Sequence, residues 1–193
     1  LASFLKGRIH LSSVTSIETI KLLENFSNED FLPTFDIPVY NLFYSDHDLI
    51  NFDTNLKSNT FFRDDSNRKE IVKWLKDGRI KCISSNHTPL SSDEKEKDFY
   101  SSLNGFISLQ TSFSLACKSI NANKKNIKGL IDCFTIGPLE ILNLPSSFFE
   151  EKQKANLTII DLDNEWQFNK DNCFSNSYNT PLDKMKFPVS IIG

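Results

Sequence analysis

The stretch that decides the fold is Arg79–Leu90, RIKCISSNHTPL. Its first half reads as a short buried strand, Ile80–Ser84, and its second as a polar turn, Ser85-Asn86-His87-Thr88-Pro89. A strand whose C-terminal end opens on such a cluster is where parallel α/β barrels place their chemistry, because the loops at that end converge on one pocket. Just upstream, Asn67-Arg68-Lys69-Glu70 has the spacing of a helix start, and Ile71, Trp74 and Leu75 continue it as an amphipathic helix. Gly78 then supplies the stop that turns the chain into the strand.

The same alternation extends back to the beginning. Arg8–Ser13 is a short strand, Thr15-Ser16-Ile17-Glu18 has capping-box spacing, and Ile17, Ile20, Leu23 and Phe26 follow at helical intervals. Leu32–Tyr44 is the next extended segment, alternating through Phe35, Ile37 and Val39. Four parallel strands are therefore expected near Arg8–Ser13, Leu32–Pro38, Ser58–Phe61 and Ile80–Ser84, with helices between them. Ser45-Asp46-His47-Asp48 heads a solvated turn, and the charged run Ser91–Lys97 reads the same way.

Beyond the deciding stretch, Phe113, Ala116, Cys117 and Ile120 form a helix face, and Asn126–Phe134 and Pro138–Leu142 are two further short helices separated at Gly137-Pro138. After Pro145 the texture changes to strands, in Ala155–Asp161, Trp166–Phe168 and Val189–Gly193.

Composition bounds what this arrangement does. The chain has 193 residues, 39% hydrophobic, and a net charge of −3 with its basic residues scattered. Neither a basic stripe nor a polybasic block exists, which argues against a nucleic-acid or anionic-membrane surface. No apolar run is long enough to cross a bilayer, and the first residues, Leu1–Leu5, read as chain cut from something longer and not as a signal peptide. The four cysteines, Cys82, Cys117, Cys133 and Cys173, show no CxxC and no nearby His pair, so the expectation is buried thiols of a cytoplasmic protein.

Several stretches, in order, resemble the C-terminal half of the dihydroorotases and related cyclic amidohydrolases. His10–Ser16 resembles the family's fifth-strand His-x-x-His-Val-Ser-Thr; Thr34–Leu42 resembles Thr-Ala-Glu-Val-Thr-Pro-His-His-Leu; Lys57, Asn59 and Arg63 match the loop Lys-x-Asn-Pro-Pro-Leu-Arg; and Asn86–Leu90 resembles Asp-His-x-Pro-His. Gly105 and Thr111 keep a later Phe-Gly-x-x-Gly-Leu-Glu-Thr, Ile136–Leu142 resembles Leu-x-x-Asn-Pro-Ala-x-Ile-Leu, and Ser177–Pro181 resembles Ser-x-Asn-Thr-Pro. The resemblance implies the C-terminal half of a TIM-type (β/α)8 metal-dependent hydrolase barrel over residues 1–145, followed by part of a small β-sandwich domain over residues 146–193. The chain would begin at about the fifth strand, with the first-strand His-x-His pair and the bridging carboxylated lysine or aspartate upstream.

What the resemblance implies for function turns on substitutions. In its register the metal-ligand positions read Ser13, Tyr40 or Asn41, and Asn86, none a competitive zinc ligand, and Asn86 occupies the general-base position but cannot accept a proton at neutral pH. The expectation is no catalytic residue, no bound metal and no cofactor. Asn59, Gly105 and His87 fall on substrate-binding positions, whereas Leu90 stands where the family has a substrate-binding histidine. His10 reads as a partly buried strand histidine with a backbone partner, facing away from the pocket. The first functional reading is a catalytically inactive dihydroorotase-like subunit of pyrimidine biosynthesis, homo-oligomeric and structurally supporting aspartate transcarbamoylase or an active dihydroorotase. The alternative is an active zinc-dependent cyclic amidohydrolase rebuilt from upstream residues and His87. A third class is a small-molecule sensor that uses Asn59, Gly105 and the emptied pocket.

Overall fold

The structure, a computed structural model, describes residues 7–28, 30–145, 151–152 and 156–192. The expectations for Leu1–Leu5, for Ala155 and for the terminal Gly193, as well as the junction at residue 146, lie outside the described residues.

Three parallel strand segments carry the N-terminal half. β1 (His10–Leu11) pairs in parallel with β2 (Thr34–Phe35), and β3 (Ile37–Pro38) pairs in parallel with β4 (Ile83–Ser84). Only Asp36 separates β2 from β3, so one extended segment joins β1 on one side to β4 on the other. The junction is stitched from both directions: Asp36 N–H donates to Leu11 O at 3.2 Å, Val14 N–H donates to Asp36 O at 2.9 Å, and Ile37 N–H donates to Cys82 O at 3.1 Å. Three of the four expected parallel strand segments are thus observed, and among the named strands antiparallel pairing falls in the C-terminal part.

The expected fourth strand at 58–61 is absent. Its backbone groups are taken by side chains before a ladder can use them: Ser58 Oγ accepts Thr60 N–H at 3.1 Å, and Asn41 Nδ2 donates to Phe61 O at 2.9 Å. The extended run of Leu32–Tyr44 also stops early, at Pro38, where the chain tightens into a 3-10 turn over Val39–Leu42. Proline has no N–H with which to continue a ladder.

α1 (Ile17–Phe26) follows β1, with Ile17 and Ile20 in the core but Phe26 62% exposed, beyond the last turn that the sheet covers. The Thr15–Glu18 capping box does not form. Instead Asn67 caps α1 from a distance, its Oδ1 accepting Ile17 N–H and its Nδ2 donating to Thr15 O, both at 2.9 Å. Asn67 is free to do this because it is not an N-cap of its own helix: α2 (Asp65–Lys76) starts two residues earlier, capped by the Asp64 carboxylate, which accepts Asn67 N–H at 2.8 Å. Ile71, Trp74 and Leu75 bury as their spacing predicts, and Gly78, at φ +74°, ends the helix.

The short helix α3 (Ser92–Lys95) and then α4 (Ser112–Ile120), α5 (Ile127–Phe134) and α6 (Ile136–Leu142) complete the helical part. α6 begins two residues before Pro138, and Gly137 sits so close to the β4 segment that a Cβ there would lie 1.7 Å from Lys81 O. Four C-terminal strands form two antiparallel pairs, β5 (Ile160–Asp161) with β8 (Ser190–Ile191) and β6 (Trp166–Gln167) with β7 (Lys186–Phe187). They are tied to α4, where Ser114 Oγ donates to Val189 O at 3.1 Å and Trp166 Nε1 to the same oxygen at 2.8 Å. All four cysteines are free thiols; Cys117 and Cys133 are buried, while Cys82 and Cys173 are partly accessible.

Candidate functional site

At the strand ends the fold gathers its polar groups around a single carboxylate, Asp36, 4% exposed. Its Oδ1 accepts the Ser13 backbone N–H at 3.0 Å and the Ser84 hydroxyl, and its Oδ2 lies 3.0 Å from His10 Nε2. The other ring nitrogen of His10, Nδ1, lies 2.9 Å from the Thr34 hydroxyl. His10 therefore has side-chain partners and not the backbone partner its position suggested. Burial pushes the Asp36 pKa up, but the Ser84 hydroxyl, the Ser13 N–H, the His10 ring and the Ser12 hydroxyl outweigh it and hold the carboxyl below its usual range.

Beyond this carboxylate, Ser13 meets Asn86. The Ser13 Oγ lies 2.9 Å from Asn86 Nδ2 and 3.2 Å from Asn86 Oδ1, although the residues are 73 apart in sequence. Both are in the left-handed backbone region, Ser13 at φ 62° and Asn86 at φ 50°. Asparagine tolerates that conformation better than serine does, and the Asp36 bond to Ser13 N–H offsets the cost. Left-handed non-glycine residues gather where surrounding structure over-determines them, and here two meet at the mouth of a cavity.

That cavity holds about 390 Å³ and is lined by Ser13, Ser58, Asn59, Thr60, Asn86, His87, Thr88, Gly105 and Phe106. Its far wall is held from behind. Asn179 donates through Nδ2 to Thr88 O at 2.9 Å and Gly105 O at 3.2 Å, and accepts Leu90 N–H at 3.1 Å. Lys95 Nζ donates to Leu103 O at 3.0 Å and Gly105 O at 3.1 Å; Lys57 Nζ donates to Tyr100 O at 2.8 Å and Ser102 O at 2.6 Å. Burial pushes the Lys95 ammonium down to about 8. Gly105, at φ +134°, touches the Thr88 side chain where a Cβ would be, 2.5 Å away.

His87 closes one side. Its Nδ1 accepts the backbone N–H groups of Ser108 at 3.0 Å and Leu109 at 3.2 Å, so the proton of the neutral ring is on Nε2. Burial lowers its pKa, favouring that neutral form. A second recess of about 310 Å³ lies on its other side, against Leu109, Phe168 and Phe174.

Of the residues singled out from sequence, Ser13, Asn59, Asn86, His87 and Gly105 line the cavity, while Tyr40, Asn41 and Leu90 do not. Tyr40 is in the core, stacked on Phe106 with ring centroids 3.8 Å apart and its hydroxyl donated to Ile107 O at 3.0 Å. Burial raises its pKa far above the usual phenol. Asn41 is equally buried and holds the 58–61 loop. His47 is exposed on a 3-10 turn capped by Ser45 and Asp48. Two functional residues escaped the sequence reading, Asp36 and Asn179. For Asp36 a signal existed, an acid alone between Phe35 and Ile37 in an apolar strand, which only partnered burial makes tolerable.

Comparison with known proteins fits this geometry. The chain is 28% identical over 197 residues to the dihydroorotase of Bacillus subtilis, covering 100% of this chain and 46% of that protein. It is 29% identical over 181 residues to the dihydroorotase of Caldicellulosiruptor saccharolyticus, covering 93% and 42%. The chain is dihydroorotase-like. It spans less than half the length of these curated relatives. Among solved structures, L-hydantoinase from Arthrobacter aurescens superposes with a TM-score of 0.88 at 18% identity, covering 98% of this chain and 43% of that one. A Saccharomyces cerevisiae dihydroorotase complex with 5-fluoroorotic acid gives 0.78 at 15%, covering 96% and 51%. At such identities the superpositions establish the fold alone, part of a TIM barrel. No protein-family model matches the chain.

The metal that this fold family implies does not fit the residues this dihydroorotase-like chain supplies. Zinc takes imidazole, thiolate or carboxylate. Ser13 and Asn86 offer a hydroxyl and an amide already given to each other; Tyr40 and Asn41 are bonded to backbone within the core; and the Asp36 carboxylate is surrounded by its own donors. Among the described residues no group of three or more His, Cys, Asp or Glu side chains comes together to hold a metal ion.

Proposed function

We propose that this chain is the C-terminal barrel part of a dihydroorotase-like protein that does not hydrolyse cyclic amides and has a structural or assembly role in pyrimidine biosynthesis. The Ser13–Asn86 hydrogen bond carries the reading. Metal-assisted hydrolysis needs a cation to acidify water and a carboxylate to move its proton, and these two positions hold a hydroxyl and an amide, neither of which does so at neutral pH. An active enzyme built around His87 is disfavoured by the same geometry, because Nδ1 is taken by two backbone N–H groups and Nε2 carries the proton. On this reading the partner is aspartate transcarbamoylase or an active dihydroorotase, and the site of action the cytoplasm.

The test is zinc content and dihydroorotate turnover of the full-length protein purified without chelator. The expected result is well under one equivalent of zinc and no cyclisation or hydrolysis; stoichiometric zinc with turnover refutes the reading. Ser13→His with Asn86→Asp should raise metal occupancy, whereas a histidine at Tyr40 should not, since that side chain is in the core. For the partner, co-elution with aspartate transcarbamoylase in size-exclusion chromatography is expected, and separate elution at micromolar concentration counts against the assembly role.

A further inference from the structure

The far wall of the cavity carries a reactive dipeptide. Asn104-Gly105 is the one Asn-Gly pair in the sequence, with Asn104 exposed and Gly105 buried. In such a pair the glycine nitrogen attacks the side-chain carbonyl of the asparagine, because no Cβ hinders its approach. The wall cannot shed this chemistry by changing residue: Gly105 is at φ +134°, and a Cβ there would lie 2.5 Å from Thr88 Cγ2. What the fold does instead is occupy the nucleophile. Gly105 N–H donates to Lys57 O at 2.8 Å, while Gly105 O accepts Lys95 Nζ at 3.1 Å and Asn179 Nδ2 at 3.2 Å. The residue before the pair is held as well, Leu103 N–H donating to Glu94 O at 3.1 Å and Leu103 O accepting Lys95 Nζ at 3.0 Å.

We infer that Asn104 is a self-modification site, kept unreacted by these hydrogen bonds and converted irreversibly when the 103–105 wall opens. The reaction consumes only water. Gly105 N, having given its proton to a solvent base, bonds to Asn104 Cγ; the Cγ–Nδ2 bond breaks, ammonia leaves, and a succinimide ring closes. Water then adds to either of the ring carbonyls, and the ring opens to aspartate or to isoaspartate, in which the main chain runs through the side-chain carbons. A Gly105 N–H paired at 2.8 Å neither loses its proton nor turns towards Cγ, so the reaction waits on local opening, as amide exchange does. Isoaspartate lengthens the main chain just before Gly105. The bonds to Lys57 O, Lys95 and Asn179, which fix that residue from both sides, are not all remade at the new length. Conversion is therefore a one-way loosening of the wall.

The experiment incubates the full-length protein in mildly alkaline buffer and follows Asn104 by peptide mapping with mass spectrometry, which separates amide, aspartate and isoaspartate. Hydrogen exchange of the Gly105 amide is measured alongside. Conversion in the folded protein should be at least about tenfold slower than in the guanidinium-unfolded chain, the suppression that an opening free energy of about 1.4 kcal/mol gives. Lys95→Met and Asn179→Ala, each confirmed as folded by circular dichroism, should convert faster than wild type, with Gly105 exchange accelerated in step. Equal rates in the folded and unfolded chain overturn the inference, and so does absence of conversion in the unfolded chain. Folded variants that convert at the wild-type rate overturn it too. Should both variants unfold, wild type in guanidinium below its transition decides: conversion and Gly105 exchange must rise together, and conversion that stays flat while exchange rises overturns the inference.

Discussion

Replacing Asp36 tests the hub on which the strand ends meet. In Asp36→Asn the remaining oxygen keeps Ser13 N–H and Ser84, while the new amide faces His10 Nε2, which can accept if the ring proton moves to Nδ1 and is donated to Thr34. What is lost is the charge. A hydrogen bond to a charged group contributes about 1.5–3 kcal/mol against roughly 1 for a neutral one, so three such bonds predict a loss of about 1.5–6 kcal/mol at pH 7. Asp36→Ala, which leaves three donors without an acceptor, should lose more. The pH dependence fixes the cause. The folded pKa is held below the ordinary 3.8, so the unfolded chain binds the proton first and the carboxylate stabilises the fold above that value. As pH falls from 3.8 through the depressed folded pKa, that contribution disappears. Urea denaturation of wild type and Asp36→Asn across this window, and at pH 7, is the assay. The gap should be present at neutral pH and should close on acidification. A gap of zero at pH 7, or one that persists unchanged in acid, would refute the assignment of Asp36 as an ionised hub.

Gly137→Ala should cost more than about 3 kcal/mol or abolish folding, because the added methyl meets the Lys81 carbonyl backbone and nothing flexible can give way; circular dichroism of the variant is sufficient. Asn67→Ala removes a distant cap and a second hydrogen bond, with an expected loss of about 1–3 kcal/mol in chemical denaturation, and Asn67→Asp should recover the part due to the Ile17 bond alone. Lys95, whose folded pKa is about 8 against 10.5 ordinarily, binds its proton more weakly in the fold than in the unfolded chain. The wild type should therefore gain stability relative to Lys95→Met as pH rises from about 8 towards 10.5, and a difference flat with pH would contradict the burial of that ammonium.

The legible part of the molecule was the part governed by local pattern. Ile71, Trp74 and Leu75 at helical spacing, Gly78 after them and the apolar Ile80–Ser84 run are each sufficient to place an element, and the strand end opening on Asn86 and His87 does border the cavity. What was not legible depends on partners far away in sequence. The 58–61 segment has the residues of a strand, and only the amide of Asn41 reaching Phe61 O tells against it. Tyr40 was placed at the pocket by register alone, yet its ring is drawn onto Phe106, where apolar burial outweighs the preference of a phenol for water. Asp36, an acid set between Phe35 and Ile37, carries a local sign of partnered burial, but its partners, His10, Ser13 and Ser84, lie up to 48 residues away in sequence and no window of residues displays them.

The reach of Asn67 to the start of α1 has a consequence for the order in which this protein assembles. A ten-residue helix is marginal alone, and this one has no working cap within its own segment. Its first turn is completed by a side chain 50 residues further on, mounted on α2, which carries its own cap at Asp64. During synthesis, then, β1 and α1 leave the ribosome without the group that fixes their junction, while α2 is self-sufficient when it emerges. The βα unit of β1 and α1 is thereby a late one in time, matured by its successor, and a peptide of residues 7–66 should be largely unstructured by circular dichroism.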